Sequence, residues 1–334
     1  MEAPGGVKMR VSVVVPAYRN AAGLAECLQA LVASDEPPFE IIVVDDASGD
    51  GTSAVASRFG ARGLRLERNS GAGAARNHGA RSASGEILLF VDSDVVVAPD
   101  TVGRVARLFE ERPDVAAVFG SYDAAPRAPG LVSQFRNLLH HFVHQHGEPE
   151  ASTFWAGCGA IRRPVFESVG AFDTGRYGRS IEDIELGYRL RDAGHRILLE
   201  RDLRVTHLKR WTLGSFLRTD VFLRAMPWSE LILQRRATLD HLNLKAGQRV
   251  SVLLALVAAA ALPLSVVRLE MLAVAAAATL GLVLANRKLL AFFARERGLA
   301  FSAATVPLLL LHYVASGFGY LCARTEHAFA RATS

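Results

Sequence analysis

The sequence predicts an α/β fold, with a mainly parallel sheet covered by helices over residues 1–208, followed by helices suited to a lipid bilayer. From residue 10 onward, short β-branched runs alternate with helical stretches, the signature of βαβ units. After about residue 208 the composition changes to Trp, Phe and Leu mixed with evenly spaced Arg, and then to three long uncharged stretches. Half of the 334 residues are hydrophobic and the mean hydropathy is +0.20, more apolar than an ordinary soluble enzyme.

Strands are predicted at Arg10–Val15, Glu40–Val44, Leu64–Glu67, Glu86–Val91 and Val115–Phe119. Pro16 should end the first. Asn20 is placed to cap a helix that carries Leu24, Cys27, Leu28 and Leu31 on one face, and Asp50-Gly51-Thr52 should open the next.

Residues 209–249 read as amphipathic helices in a membrane interface, with an ordinary packed helix pair as the alternative. Residues 250–323 hold the uncharged stretches Val250–Val267, Met271–Asn286 and Gly298–Ala323, and 324–334 form a tail. A bilayer core needs roughly 20 apolar residues, so the third spans easily and the first two only marginally. About three spans are expected, or one span with a re-entrant hairpin turning at Arg268-Leu269-Glu270. Arg235, Arg236, Lys245 and Arg249 precede the first stretch, and Arg287, Lys288, Arg295 and Arg297 precede the third. The positive-inside rule then sets the N-terminal domain in the cytoplasm and the chain in the cell (inner) membrane as a multi-pass protein.

Residues 1–200 carry 21 Lys+Arg against 26 Asp+Glu, whereas residues 201–334 carry 17 against 7. The basic excess lies beside the apolar stretches, so membrane lipids are its expected counterions. No helix-turn-helix, zinc-finger or RNP pattern accompanies it, which argues against nucleic acid. Cys27, Cys158 and Cys322 are odd in number and far apart, giving neither a disulfide framework nor a cysteine metal site. The N-terminus has no apolar h-region of a signal peptide.

Open α/β sheets gather ligands at the carboxyl ends of their strands, which puts weight on Tyr18, Asp45, Asp46, Asn69, Asp92 and Asp94. Asp92-Ser93-Asp94 follows an apolar strand with two carboxylates one residue apart, suited to a hard divalent cation, Mn or Mg; an acidic turn has the same appearance. Gly71-Ala72-Gly73-Ala74-Ala75-Arg76 partly matches a dinucleotide fingerprint, but it follows the third predicted strand and ends in Arg, so a nicotinamide enzyme is disfavoured. Glu182-Asp183 opens a helical run that also fits a solvated face or a helix cap.

In chain order the segments VSVVVPAYRN, VVDDASGDGT, NSGAGAARNHGA, GEILLFVDSD, GCGAIRR with VGAFD, and IEDIELGYRL resemble the family 2 glycosyltransferases of the GT-A fold, over about residues 10 to 210. The resemblance implies an inverting transferase that moves a sugar from a UDP- or GDP-linked nucleotide-sugar donor to an acceptor. It assigns Pro16, Tyr18, Asn20 and Asp46 to base and ribose, with turn or helix capping as the alternative for Asp46. Gly73 and Arg76 fall on the donor, with Arg76 on its phosphate or base, Ser93 on the donor, Asp92 on donor and metal, Asp94 on the metal, and His207 on a third metal position or a diphosphate contact. Gly157, Gly159 and Glu182 fall on the acceptor side, and Asp183 is the implied catalytic base. The group His140, His141, His144 and His146 lacks a carboxylate motif for zinc and reads as an exposed or acceptor-lining helix.

The chain departs from the family's processive polysaccharide synthases, which carry Gln-x-x-Arg-Trp before their channel helices: Gln234-Arg235-Arg236-Ala237-Thr238 lacks the Trp and the spacing. Transfer of a single sugar to a hydroxyl acceptor, such as a lipid, a lipid-linked saccharide or a glycan, is therefore expected. A polyprenyl-phosphate acceptor is the nearest alternative, although an ionised phosphate needs no base. A non-catalytic sugar-binding scaffold is the alternative from another class.

Overall fold

A computed structural model describes residues 9–177, 180–235 and 246–332. The chain divides into two compact units, Met1–Arg127 with His144–Lys209, and Ala128–Val143 with Arg210–Ser334.

The first unit is built in the order β1 (Val11–Ala17), α1 (Ala21–Val32), β2 (Glu40–Asp45), α2 (Thr52–Arg58), β3 (Arg62–Arg65), α3 (Ala72–Ser82), β4 (Ile87–Val91), β5 (Val95–Val97), α4 (Thr101–Glu111) and β6 (Val115–Tyr122). After α5 (Leu131–Gln145), most of which belongs to the second unit, come β7 (Glu150–Ala151), β8 (Cys158–Arg162), α6 (Arg163–Ser168), α7 (Glu182–Asp192) and β9 (Arg196–His207). One sheet runs β3-β2-β1-β4-β8-β6-β9-β5, with β7 on β9.

The expected parallel sheet is present in β3-β2-β1-β4, but β8 enters antiparallel between β4 and β6, and β5 pairs antiparallel with β9. The predicted third strand is found two residues earlier. As an edge strand it carries mostly exposed, charged side chains, so little apolar patterning sets its register. β1 runs through Pro16: its pairing with β4 stops at Val14, so Pro16 lies where only β2 is bonded and a missing N–H is tolerated.

Val13, Val15, Val43, Leu89 and Val91 point to one face of the sheet, where Leu24, Cys27, Leu28 and Leu31 of α1 and Val105 and Phe109 of α4 cover them. On the other face α3 lies against β1 and β2 through Gly79. A Cβ there would stand 2.5 Å from Val14 Cγ1 and 3.1 Å from Val44 Cγ2.

The second unit comprises α8 (Leu213–Arg218), a π-helical segment Thr219–Ala225, α9 (Met226–Arg235), α10 (Ala246–Leu264), α11 (Glu270–Ala285), α12 (Arg287–Arg297) and α13 (Leu299–Ala332). Residues 128–143, expected with the N-terminal domain, fold here instead. Phe135 is fully buried with Phe216 and Phe293 edge-on to it, and Ser133 Oγ accepts from Trp211 N at 2.8 Å. His141 and His144 are buried and His146 is exposed, so of the two expected readings of this helix, exposed or acceptor-lining, the fully exposed one does not hold. His141 stacks on Phe292, while His144 lies edge-on to Phe119.

α10 and α13 are long and apolar enough to cross a membrane, and α11 bends by 72° into α12, which makes a third crossing only if the bent pair counts as one span. In the apolar windows of α10 and α13, 22% and 33% of residues are buried. The segment expected in the interface is mixed: Phe216 and Asp220 are buried, while Leu213 and Phe222 are exposed. Arg236, Lys245 and the end of the Gln234–Thr238 stretch lie outside the described residues.

Gly79→Ala should lower the stability of the detergent-solubilised chain by about 1–3 kcal/mol through overpacking. Gly49→Ala, where an added Cβ meets nothing within 4 Å, should leave it unchanged. Thermal unfolding of the two variants side by side checks this.

Candidate active site

The carboxyl ends of three neighbouring strands gather the polar residues. β1 leads into Tyr18 and Asn20, β2 into Asp45 and Asp46, and β4 into Asp92-Ser93-Asp94. Because β8 is antiparallel, its start lies beside the end of β4, with Cys158 opposite Val91, and Asp92 N–H donates to Gly157 O at 3.2 Å. Val95 pairs with His207 across β5 and β9, and Leu208 N–H donates to Asp94 O at 2.9 Å.

At the centre is Arg76, from the second turn of α3. One guanidinium nitrogen donates to Glu182 Oε1 and the other to Asp92 Oδ1, each at 2.6 Å, with Arg76 and Glu182 almost fully buried. The guanidinium also lies over the Phe172 ring at 5.6 Å. Asn77, the next residue, both donates to Phe172 O and accepts from Phe172 N, pinning that loop. Burial acts against the charge of Arg76, but Asp92, Glu182 and Asp183 more than restore it. Burial also lifts the Glu182 carboxyl to about 7, with Arg76 opposing and Asp183 adding to the rise.

Asp92 and Asp94 differ in setting. Burial pushes the Asp92 carboxyl up against the pull of Arg76, and Asp94 adds to the rise. Burial acts to raise Asp94 too, but His207 and Lys209 outweigh it and hold Asp94 below the usual range. His207 Nε2 lies 3.4 Å from Asp94 Oδ2, and the Asp94 side chain keeps 29% exposure.

Three carboxylates, Asp92, Glu182 and Asp183, act on one guanidinium, and Asp94 adds to the negative charge at Asp92, a surplus that a divalent cation would relieve. Carboxylate oxygen with one imidazole nitrogen suits Mn²⁺, and the oxygens alone suit Mg²⁺. Among the described residues no three His, Cys, Asp or Glu side chains are gathered as a set, and Asp92 is paired with Arg76. Asp94 and His207, 3.4 Å apart, are a pair of side chains that could hold such an ion.

Asp183, at the start of α7, accepts from Ile184 N at 2.8 Å and from Ala156 N at 3.2 Å while remaining partly exposed. Glu182, predicted on the acceptor side, is turned inward and engaged by Arg76. Gly157 and Gly159 were expected to bring backbone close to a sugar, but their open space is filled from within: a Cβ at Gly157 would overlap the Trp155 indole, and one at Gly159 would meet Trp155 O and Phe154.

The predicted nucleoside residues separate in the same way. Both Asp46 oxygens are engaged, by Ser70 N at 2.7 Å and by Gly71 N and Asn69 Nδ2 at 2.9 and 3.0 Å, so Asp46 fixes the loop that enters α3. Asn20 makes no side-chain cap; its amide donates to Ser93 O at 3.1 Å, and Asp50 Oδ2 accepts from Ala21 N at 3.2 Å at the head of α1. Tyr18 is 41% exposed with Arg19 over its ring, and Pro16 and Gly73 are buried below. Arg19 and Ala47 hold positive φ, 49° and 60°, a backbone strain common at binding sites, and Arg19 N–H donates to Ser48 Oγ at 2.8 Å.

Sequence reasoning passed over Tyr122, Trp155 and Gly187. A Cβ at Gly187 would strike the Thr153–Phe154 backbone, so α7 docks there by direct backbone approach. A glycine inside a helix costs about 1 kcal/mol against alanine, which was the available signal.

The sequence pattern described as "Glycosyl transferase family 2" matches residues 12–170. Glycosyltransferase AglE of Haloferax volcanii is 38% identical over 211 residues, covering 60% of this chain and 67% of that protein. Glucosyl-dolichyl phosphate glucuronosyltransferase of the same organism is 26% identical over 217 residues, 60% of this chain and 69% of that one. An uncharacterized glycosyltransferase of Haemophilus influenzae is 29% identical over 192 residues, 54% of this chain. The chain spans 61% of that relative's length, and 64% of another from Bacillus subtilis. The solved structure of mannosyltransferase PcManGT from Pyrobaculum calidifontis, in complex with GDP-Man and Mn²⁺, matches with a TM-score of 0.60 at 22% identity, covering 94% of this chain and 87% of that one. On its sequence pattern, its relatives and its sheet, this chain belongs to glycosyl transferase family 2 and carries the GT-A fold.

Proposed function

We propose that the protein transfers one sugar from a nucleoside-diphosphate sugar to a hydroxyl acceptor, with inversion at the anomeric carbon, at the cytoplasmic face of a membrane. The observation that carries this reading is the placement of Asp183. Its carboxylate is held by two backbone N–H groups, stays partly open, and adjoins Glu182, which Arg76 ties to Asp92. A carboxylate oriented by backbone N–H groups and still open to solvent supports the reading of Asp183 as a general base.

In this mechanism Asp183 takes the proton from the acceptor hydroxyl as that oxygen attacks the anomeric carbon on the face opposite the departing diphosphate. A single displacement of this kind inverts the centre. Arg76 holds Asp92 and offers positive charge close to the phosphates, and Glu182 positions Arg76 rather than touching the acceptor. Asp94 with His207, and the free oxygen of Asp92, would hold a divalent cation, which would supply Lewis acidity toward the charge on the leaving diphosphate. Tyr18 and Arg19 offer an exposed ring and guanidinium for the nucleobase, with Pro16, Asn20 and Ser93 shaping the floor.

The mannosyltransferase relative was solved with GDP-Man and Mn²⁺, which supports a nucleotide-sugar donor and a divalent metal here. The Haloferax relative is named a glucosyl-dolichyl phosphate glucuronosyltransferase. Together with the apolar helices α10 and α13, that supports a lipid-linked saccharide as acceptor.

Donor turnover by the detergent-solubilised chain should require Mn²⁺ or Mg²⁺ and disappear in Asp94→Ala; unchanged turnover in that variant would exclude the proposed metal chemistry. Asp183→Asn should bind nucleotide normally in a thermal-shift assay yet lose about 10²- to 10⁴-fold in transfer to a hydroxyl acceptor. Normal transfer by Asp183→Asn would favour the polyprenyl-phosphate acceptor instead. Glu182→Ala, which takes one partner from a buried cation, should cost on the order of 3 kcal/mol, whereas Glu182→Gln still accepts from Arg76 and should lose far less in thermal unfolding.

A further inference from the structure

Asp92, Asp94 and His207 stand within a closed circuit of contacts, two members of which carry no role in the mechanism above. Asp92 N–H donates to Gly157 O at 3.2 Å. The space beside Gly157 is filled by the Trp155 indole. Trp155 meets Tyr122 edge-on, with ring centroids 4.9 Å apart at 84°. Tyr122 lies flat on the His207 imidazole, 4.3 Å between centroids and 11° between planes. His207 Nε2, 3.4 Å from Asp94 Oδ2, closes the circuit.

Backbone pairing fixes where His207 begins but not where its ring points. β5 and β9 set Val95 opposite His207, and β6 and β9 set Tyr122 opposite Val205. An imidazole has two side-chain torsions left, and a donor nitrogen is useful to a metal only if its lone pair is aimed. A near-parallel aromatic face sets the plane of the ring and so the direction of Nε2. Thr206 Oγ1 donates to Asp123 Oδ2, which locks the neighbouring residues of the two strands and keeps Tyr122 and His207 in step.

We infer that Tyr122 is a positioning residue for the metal site: its ring holds the His207 imidazole so that Nε2 and Asp94 converge on one divalent cation, and Trp155 braces Tyr122 from behind. The inference rests on the reading of His207 as a metal donor. Groups that orient a metal ligand typically change affinity by about 10- to 100-fold when removed.

The test is Mn²⁺ binding to the full chain in detergent, followed by the electron paramagnetic resonance signal of free Mn²⁺. Tyr122→Phe keeps the stacked ring and should bind within about twofold of wild type, while Tyr122→Leu should bind about tenfold more weakly. His207→Ala should lose at least as much, and adding Tyr122→Leu to His207→Ala should cost nothing more, since residues that act through one another are not additive. If Tyr122→Leu fails to fold, Tyr122→Met serves as the second non-aromatic variant with the same expectation. Wild-type affinity in Tyr122→Leu beside a weakened His207→Ala would overturn the role of Tyr122 alone, as would a fully additive double variant. Wild-type affinity in His207→Ala would overturn it together with the metal reading of His207, leaving Asp94 to be judged by Asp94→Ala.

Discussion

The Arg76 guanidinium is almost withdrawn from water and spends its two terminal nitrogens on Glu182 and Asp92. Desolvating a cation is costly, and only close, charge-assisted bonds to opposite charges offset it. Such a bond to each side makes Arg76 a cross-link between the head of α7 and the end of β4, elements 90 residues apart in the chain. Lysine has a single point charge and cannot bridge two carboxylates in this forked way. The position of Asp183, one residue from Glu182, therefore depends on a group that itself touches the Asp-x-Asp turn.

A second constraint acts through absent side chains. α7 reaches its place because Gly187 lets it lie directly on the Thr153–Phe154 backbone, and that same segment carries Trp155 and the Ala156 N–H that holds Asp183. Gly157 and Gly159 then give room to Trp155 and Phe154. The glycines of this region thus serve packing between protein segments, and the packing in turn sets the geometry of the base. The cross-link and the close approach are complementary: one fixes the head of α7 by charge, the other fixes its middle by contact.

Much of this was legible in the sequence. β1, β2 and β4 are continuous apolar runs, as strands buried on both faces must be, and the polar residues at their ends were found because a parallel sheet collects them there. Cys158–Arg162 was not legible as a strand: two small residues and one Ile give little β signal, and its antiparallel insertion depends on partners distant in sequence. Individual roles were less visible still. Asp46 and Glu182 have the residue type of ligand-binding groups, and nothing local reveals that Ser70, Gly71 and Arg76 take up their oxygens. Tyr122 and Trp155 look like core aromatics until the strands that bear them are paired.

The second unit buries several polar groups beside its apolar core and turns large apolar side chains outward. Asp220, with its carboxyl pushed up by burial but drawn down to about 2 by Arg136 and His312, sits at 2.6 Å from each of them, inside the unit. Asn286 joins Ser251 and Tyr313 by hydrogen bonds of 3.0 and 2.8 Å. Outward, Leu253, Leu262, Leu280 and Val266 are exposed by 55–88%. In water each such leucine or valine forfeits roughly 1.5–3 kcal/mol of burial, while the polar groups would gain little from being inside. In hydrocarbon the outward side chains cost nothing and an unpaired polar group becomes expensive, so pairing within the unit is the arrangement that solvent rewards. The apolar exterior is thus compatible with lipid on physical grounds that do not rest on the positive-inside rule, and α12 presents exposed Arg287, Lys288 and Arg295 where α11 bends away by 72°.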